Sequence, residues 1–524
     1  MKGNSVRVKS ANPRVTIPPL VRAVGTLSSL TAISRVLGFG RDITLAAVLG
    51  VGAVADAFFV AFKLPNLFRK LTADGAMTSA FLPSLTATEA KLGKRGGIAL
   101  LADVESTLVW ALIIIVVGFE ICMPWVISAL APGFIGEARL YLATDMARAT
   151  MPFLPMISLV ALWIAVANAS KRFAIGGLVP IIMNLILIAA AVIGFFVWDA
   201  DHQRGLLVAW AVSLAGIVQL LVMGGAMLRL GYLPKIQLIP RFTKEARAMW
   251  RRFFPTAFAA AGTQINLLVD TMLASLLSVG AISQLYYADR VAQLPLGVVG
   301  IALGVALLPS LSRLESAKPA NTKAVASEIH TAIIIGMLFA IPSMLGGVLL
   351  AEVLIGGLFV YGAFDAAQLT PTAHVLVAYC LGIPAFILVK ILQPAFYAMG
   401  DVKLPMRVTG LAVVLNVILS VSLMQIFAAS GIALATSIAS AVSATILAWV
   451  LAKRARLHRQ VVTPLVTIIF CGGVMAVTLW FSMPMTHALA AWLRLLVLLA
   501  IGGVSYTMAV AMTGVWKYAI ARQA

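Results

Sequence analysis

Charged residues are scarce in this chain. Of its 524 residues, 11% are Asp, Glu, Lys or Arg and 61% are hydrophobic, and the mean hydropathy is +1.02. A soluble globular protein carries roughly 25% charged residues, so the composition excludes the soluble classes and indicates a polytopic membrane protein. Acidic residues are the scarcest: 19 Asp and Glu stand against 39 Lys and Arg, giving a net charge of +20.

Cysteine and histidine are also rare. The three cysteines, Cys122, Cys380 and Cys471, lie in separate apolar runs without a CxxC or Cys/His cluster. We therefore expect neither a disulfide framework nor a metal site. No DD or DxD pair occurs in a basic gap between apolar runs, which disfavours a metal-dependent membrane enzyme such as a polyprenyl-phosphate glycosyltransferase.

Apolar runs of about 20 residues, the length that crosses a bilayer as a helix, follow one another along the chain. They predict an all-α membrane protein with about fourteen spans. Their approximate limits are 22–49, 53–88, 98–130, 141–169, 174–198, 205–228, 247–279, 282–314, 328–359, 371–399, 406–427, 431–452, 462–482 and 490–515.

The gaps between these spans alternate in charge. Basic residues crowd every second gap, most densely at 229–252, whereas gaps such as "WDADHQRG" at 198–205 carry few. Because cytoplasmic gaps retain Lys and Arg, we expect both termini in the cytoplasm and the chain in a bacterial inner membrane. The excess charge is then a signal of topology and of contact with anionic membrane lipids, rather than of nucleic-acid binding.

The second span is irregular. It covers residues 53–88 and contains the polar patch "NLFRKLTADG". Split at this patch, each piece would be too short to cross, and the alternation of basic gaps would fail downstream. We therefore predict one long helix that is broken by Pro65 and Gly75. Such a break is tolerated only against protein or a watery cavity.

An internal repeat divides the chain. "LAAVLGVGA" at 45–53 matches "LASLLSVGA" at 273–281, and "FLPSL" at 81–85 matches "LLPSL" at 307–311. Two matches at nearly one offset predict two parallel six-helix lobes around a central cationic cavity, with two extra C-terminal helices. The predicted units are a basic cytoplasmic tail (1–19), an N-lobe (20–228), a linker (229–246), a C-lobe (247–455) and the C-terminal helices with their tail (456–524). The tail before residue 19 lacks the apolar core of a signal peptide.

Charges within the predicted spans form three groups: Arg35, Arg41 and Asp42; Asp56, Lys63, Arg69, Lys70 and Asp74; Asp289 and Arg290. Each costs about 2.5–3.5 kcal/mol at mid-helix and needs a reason to be there. Internal pairs, Arg41 with Asp56 or Arg290 with Asp289, are one explanation. The surplus of cations favours another, an anionic headgroup such as a phosphate or diphosphate, which suits the arginine fork.

A second polar group lies in the C-lobe. Asp270 stands in "INLLVDTML" with no basic neighbour in its own segment, and Asn416 and Thr436 interrupt apolar runs of the same lobe. Ser420, one turn after Asn416, adds a neutral oxygen. These oxygen ligands predict a site for Na⁺ or a proton, although a neutral, hydrogen-bonded carboxyl explains Asp270 equally well.

Five motifs together resemble the MurJ (MviN) lipid II flippases of the multidrug/oligosaccharidyl-lipid/polysaccharide exporter superfamily. They are "SRVLGFGRD", "DAFFVAFKLPNLFRK", "GAMTSAFLPSL", "YYADR" and "LGVALLPSLSR". The similarity covers about residues 20–515. It implies a flippase that is not an enzyme and needs no cofactor, with coupling to Na⁺ or protons. Its implied partners are lipid II, membrane lipids and candidate cell-wall synthases.

The resemblance also implies a substrate site. The family's essential arginines correspond to Arg35, Arg41, Arg69 and Arg290, and its acidic partner to Asp56. We expect Asp42, Asn66, Asp74 and Asp289 to support the same site. There are two departures. Gln293 stands where many relatives carry glutamate, and Asp74 replaces a common glutamate. Two transporters of the superfamily remain as alternatives, another polyprenyl-linked oligosaccharide flippase and a cation-coupled multidrug exporter. The exporter should line its cavity with carboxylates rather than arginines.

Overall fold

The structure is a computed structural model that describes most of the predicted membrane region. The described residues are 19–72, 76–232, 241–262, 264–297, 322–455 and 462–520, with the single positions 237, 239, 307, 310 and 311. Outside these ranges lie the N-terminal tail before residue 19, Asp74 and parts of several predicted gaps. Every regular element in these ranges is a helix, so the prediction of an all-α membrane protein is confirmed.

Seven helices form the first half of the chain. They are α1 (Pro19–Leu49), α2 (Ala53–Thr72), α3 (Ala76–Leu130), α4 (Ala138–Thr150), α5 (Phe153–Ala169), α6 (Phe173–Val197) and α7 (Asp201–Leu230).

Ten more follow. They are α8 (Lys244–Gly262), α9 (Ile265–Ser275), α10 (Ala281–Pro295), α11 (Thr322–Leu349), α12 (Ala351–Leu358), α13 (Leu369–Ala398), α14 (Lys403–Ala455), α15 (Val462–Ser482), α16 (Ala491–Thr513) and α17 (Lys517–Ile520).

Two of these helices are long enough for two passes each. Helix α3 bends sharply at Gly93, where φ is 67°, and α14 bends at Ala428, where φ is 49°. Within the described ranges nine helical segments are long and apolar enough to span a bilayer, α3 and α14 among them. The total of fourteen spans stays a prediction, because α1, α2 and α8–α10 fall below that standard of length or hydropathy.

Helix α2 corrects one expectation. It continues through Pro65 to Thr72, so Pro65 does not break the second span. The next helix begins at Ala76, after residues 73–75. Gly75, the other expected breaker, belongs to those three residues outside the described part.

The two repeat segments have the same local structure. The first ends α1 at Leu49 and begins α2 at Ala53; the second ends α9 at Ser275 and begins α10 at Ala281. The two turns meet, since a Cβ added to Gly280 would lie 2.9 Å from Val51 Cγ1. The Tyr287 hydroxyl of α10 also donates to the backbone oxygen of Gly50 at 3.1 Å. The repeat therefore brings the same turn of both halves to one face of the molecule.

That face, which we call the sealed face, is closed by close backbone contacts. The backbone nitrogen of Ala363 donates to the oxygen of Ala47 at 2.7 Å. Nearby, the backbone nitrogen of Gly133 donates to the Ser275 hydroxyl at 3.1 Å. A Cβ on Gly133 would lie 1.9 Å from the Ser275 backbone oxygen. Segments from both halves thus approach each other as closely as glycine permits.

The two C-terminal helices pack on the outside of the second half. Helices α15 and α16 share a small apolar cluster with α11 and α12, which includes Cys471, Leu479 and Leu498. The Tyr506 hydroxyl of α16 donates to the Leu338 backbone oxygen of α11 at 2.7 Å. They add an apolar surface without entering the centre of the molecule.

The sealed face should open when Gly362 is replaced by alanine. Gly362 has φ of +60°, and an added Cβ would lie 2.2 Å from the backbone oxygen of Ala47. We expect Gly362→Ala to cost the sealed form about 1–3 kcal/mol, shifting the population roughly 5- to 150-fold toward the open form. The measurement is labelling of an Asn66→Cys probe, in a Cys122→Ala background, by an impermeant maleimide applied at the sealed face.

Gly136→Ala is the matched control. Gly136 also has a positive φ, +83°, but nothing lies within 4 Å of an added Cβ. It carries the backbone strain without the collision. Equal labelling rates in Gly362→Ala and Gly136→Ala would show that the seal does not depend on this close approach.

Candidate functional site: a cationic cavity between the lobes

A cavity of about 720 Å³ lies between the two halves of the molecule. Its wall comes from α1, α2, α5, α6 and α7 of the first half and from α9, α10, α13 and α14 of the second. Among the described residues, five cations line it, Arg41, Lys63, Arg69, Lys70 and Arg290, against two carboxylates, Asp270 and Asp289. The cavity is therefore cationic, as the sequence predicted.

A buried carboxylate behind the cavity wall, that of Asp42, joins two of the lining arginines, one from each half. Arg41 Nη2 lies 2.7 Å from Asp42 Oδ1, and Arg290 Nε lies 3.6 Å from Asp42 Oδ2. The Tyr286 hydroxyl donates to Asp42 Oδ1 at 3.0 Å, and the Arg290 guanidinium stacks 4.7 Å from the centre of the Tyr286 ring. Arg41 also donates to Asn184 Oδ1 at 3.1 Å. Two guanidinium groups, one from each half, thus share one carboxylate.

Arg290 retains an unused hydrogen-bond donor. Its Nε is buried but has no hydrogen-bond partner in the described part of the chain. The expected pair with Asp289 does not form: Asp289 instead accepts from Gln293 Nε2 at 2.5 Å. Gln293, which replaces a common glutamate, is therefore a donor to the cavity wall.

One face of α2 contacts the second half along its length. Asp56, Lys63 and Lys70 are spaced by seven residues, which places them on one side of a helix. Lys63 Nζ donates to the backbone oxygen of Leu267 at 3.3 Å and also contacts the Thr271 hydroxyl. Lys70 Nζ donates to Gln264 Oε1 at 2.9 Å. On the adjoining cavity wall, Arg69 Nε donates to Asn66 Oδ1 at 3.3 Å.

Asp56 lies at the sealed face rather than in the cavity. Both of its oxygens accept from the start of α10: Gly280 N at 2.7 Å, Ser283 N at 2.8 Å and the Ser283 hydroxyl at 2.8 Å. A carboxylate at a helix N-terminus satisfies free N–H groups and the helix dipole. Its ionic partner is Arg139, at 3.6 Å, so the expected pair of Asp56 with Arg41 is wrong.

Arg35 is separated from the other arginines. It does not line the described cavity wall and is largely exposed. Its Nη1 lies only 2.2 Å from the position of a Cβ added to Gly297 of the second half. The structure therefore places Arg35 at a seam between the halves, beside the cavity. Asp74 lies outside the described residues.

The predicted cation ligands come together. Asn416 Nδ2 donates to Asp270 Oδ1 at 3.0 Å and to Asn266 Oδ1 at 2.7 Å, and the Thr436 hydroxyl donates to Asn416 Oδ1 at 3.2 Å. The Ser420 hydroxyl is buried without a hydrogen-bond partner among the described residues. At the repeat offset of 228 residues, Asp270 is the counterpart of Asp42.

Four contacts escaped the sequence prediction. Asn184 and Asn266 are polar residues in apolar helices, the signal that did identify Asn416. Tyr286 lies within the motif "YYADR", but its sequence does not show that its hydroxyl reaches Asp42. Lys63 contacts the helix that carries Asp270, so that carboxylate has a basic neighbour in space although none in its own segment.

Comparison with known proteins gives a consistent result. The family model described as "Lipid II flippase MurJ" matches residues 45–501. A probable lipid II flippase MurJ of Rhizobium tropici is 36% identical over 84% of this chain and 82% of its own length. The lipid II flippase MurJ of Burkholderia cenocepacia is 35% identical over 74% of this chain and 75% of its own length.

Solved structures share the fold. One described as "Lipid II flippase MurJ, inward closed conformation" superposes with a TM-score of 0.78 at 23% identity, covering 95% of this chain and 99% of its own. An inward-facing multidrug resistance MATE transporter gives a TM-score of 0.67 at 14% identity, covering 83% of this chain and 98% of its own. The family model and the relatives above 30% identity decide the assignment: this chain belongs to the lipid II flippase MurJ family.

Proposed function

We propose that the chain moves lipid II, the undecaprenyl-diphosphate-linked peptidoglycan precursor, from the cytoplasmic to the periplasmic leaflet of a bacterial inner membrane. It acts as a transporter rather than an enzyme, by alternating access. The observation that carries the proposal, beside family membership, is the Asp42 carboxylate shared by Arg41 and Arg290. One arginine comes from each half, and the two guanidinium groups have this one carboxylate between them.

The substrate's diphosphate would take the place that Asp42 partly fills. Its oxygens can accept paired hydrogen bonds from both guanidinium groups, drawing the halves together around the anion. Because a ligand shifts a conformational equilibrium only through its differential contacts, a clamp made from both halves couples occupancy to the change of access. Asp42 keeps the empty cavity from carrying unpaired cations and competes for the arginines, which favours release.

The shape of the cavity fits part of such a substrate. A volume of about 720 Å³ lies within the roughly 300–1,000 Å³ of pockets for drug-sized ligands. It can hold the diphosphate and the adjoining sugar, while the prenyl tail stays on apolar surface outside. The exposed apolar side chains of α15 and α16, such as Phe470 and Trp480, offer such a surface.

The alternatives fit less well. A cation-coupled multidrug exporter should present acidic groups to its ligand, whereas five cations face two carboxylates here. Another oligosaccharide-lipid flippase would need the same diphosphate clamp, so the cavity alone does not distinguish it. The family match favours lipid II.

The sealed face should face the periplasm, with both termini in the cytoplasm. The prediction concerns cysteines placed at Asp201 and Asp365, which begin helical segments at the sealed face, and at Lys94 and Arg241 in basic gaps. In intact cells an impermeant reagent should label the first pair and spare the second. The reverse pattern would invert the orientation and the direction of transport.

Loss of either central arginine should abolish most transport. Each arginine–phosphate contact contributes roughly 1.5–3 kcal/mol, so Arg41→Ala and Arg290→Ala should weaken substrate binding about tenfold to a hundredfold. Arg41→Lys should also be impaired, because lysine keeps the charge but loses the fork. The measurement is the leaflet accessibility of lipid II in cells that depend on each variant, inserted at normal levels.

Arg204→Ala is the control for that series. Arg204 pairs with Asp201 at 3.2 Å at the sealed face, away from the cavity, and its loss should leave flipping unchanged. Arg35→Ala tests the seam separately. Normal flipping in Arg35→Ala would remove Arg35 from the clamp; normal flipping in both Arg41→Ala and Arg290→Ala would show that these charges only pair within the protein.

The second polar group supports a coupling role. We propose that Asp270 binds Na⁺ or a proton, with Asn416, Thr436 and Ser420 supplying neutral oxygens. For Na⁺, the Asn416 amide would turn so that its oxygen, rather than its nitrogen, faces the carboxylate. Lys63 contacts the same helix, so a bound cation and the lysine compete for Asp270. This competition would link the cation to the position of α2 against α9.

Asp270→Asn should remove the effect of sodium on the protein. If the site binds Na⁺, sodium should raise the Tm of the wild-type protein by mass action and leave the Tm of Asp270→Asn unchanged. Thr436→Val, which removes one neutral oxygen, should show a reduced effect. An equal sodium shift in the wild type and Asp270→Asn, with unchanged sodium dependence of flipping, would exclude the site.

A further inference from the structure

An open groove of about 560 Å³ lies on the outer surface of the first half, between α3, α4 and α7. It shares no lining residue with the central cavity. Three charged side chains, Glu120, Asp145 and Arg148, and the ring of Trp210 form part of its wall. The clamp and the cation site described above make no use of it.

The groove lies deep in the membrane. Glu120 is ten residues before the end of α3, Arg148 ten residues after the start of α4, and Trp210 nine residues after the start of α7. All three helix ends lie at the sealed face. At 1.5 Å per residue, the three side chains converge about 15 Å below that face, near the middle of a bilayer.

The charges in the groove do not balance. Arg148 Nε lies 3.8 Å from Glu120 Oε2, and its Nη2 also donates to the Glu120 backbone oxygen at 3.5 Å. Asp145 is exposed and has no ion pair or hydrogen bond in the described part of the chain. Two carboxylates therefore face one arginine, and one negative charge is directed outward at a depth where lipid offers no partner.

We propose that this groove docks a transmembrane helix of a partner membrane protein that carries a lysine or arginine near its middle. That cation would pair with Asp145. The groove would then hold two cations and two carboxylates, with the Glu120–Arg148 pair beside the new one. The Trp210 indole beside it can stack on the incoming cation, and Ala149 leaves room for close approach of a helix. A lipid headgroup does not reach this depth, which leaves a protein helix as the occupant that the charges favour.

The test uses a defined helix rather than an unknown partner. A Leu-rich transmembrane peptide with one central lysine and a neighbouring cysteine is reconstituted with the purified full-length chain in phosphatidylethanolamine/phosphatidylglycerol vesicles. The chain carries Cys122→Ala and Val116→Cys, since Val116 lines the groove. Disulfide formation should exceed that of an otherwise identical peptide with leucine for lysine by about three- to thirtyfold, the range of polar contacts between membrane helices.

Two controls make the result specific. Leu185→Cys, on α6, is half exposed and lies at a similar depth on another surface of the first half, so it should cross-link both peptides equally. Asp145→Asn in the Val116→Cys chain should remove the preference for lysine, and a peptide with central glutamate should be disfavoured in the chain that retains Asp145. Because the two peptides are compared on one folded protein, the main comparison does not depend on the stability of a variant.

Equal cross-linking of the lysine and leucine peptides at Val116→Cys would overturn the proposal and leave the groove to lipid chains. A lysine preference that survives Asp145→Asn would also overturn it. Cross-linking between two copies of the chain through Val116→Cys, displaced by neither peptide, would assign the groove to self-association instead.

Discussion

The Asp42 carboxylate is the contact on which the centre of the molecule depends. It stands between an arginine of α1 and an arginine of α10, and the Tyr286 hydroxyl completes its shell. Buried ions are stable only when their partners remain in place, and the contact from Arg290 ties α10 of the second half to the Arg41–Asp42 pair of α1. In the proposed mechanism the same contact makes the centre receptive to anions, because the buried Nε of Arg290 has no hydrogen-bond partner among the described residues.

The interactions of α2 with the second half change in kind from the sealed face toward the cavity. At the sealed face Asp56 receives three hydrogen bonds from the start of α10 and an ionic contact from Arg139. Further along, Lys63 and Lys70 donate hydrogen bonds to neutral oxygens of α9 and of its N-terminal neighbour Gln264. Contacts between a cation and a neutral oxygen exchange more readily with water than a buried ion pair does. The structure is therefore firm at the seal and adaptable around the cavity.

Much of this arrangement could be predicted from the sequence. Composition gave the fold class, the cost of buried charge identified Arg41, Arg290 and Asp270, and the seven-residue spacing found the contacting face of α2. The pairing could not be predicted. Arg41 bonds its own neighbour, Asp42, although adjacent residues on a helix point in different directions, and Asp56 meets an arginine 83 positions away. Pro65 remained within a helix because the lost hydrogen bond is tolerated where neighbouring protein packs against it.

Asp42 and Asp270 occupy equivalent positions of the internal repeat, but their surroundings differ between the two halves. In the first half the carboxylate lies beside an arginine, and Asn184 of α6 holds that arginine; in the second, Val269 stands in the arginine's place and Asn416 bonds the carboxylate directly. The same repeated position thus lies in a pocket rich in hydrogen-bond donors in the first half and in a pocket rich in acceptors in the second. A symmetric dimer of single lobes could not have two different pockets, since both copies would carry the same residues at this position. Fusion into one chain is what lets corresponding carboxylates serve the proposed anion site in one half and the proposed cation site in the other.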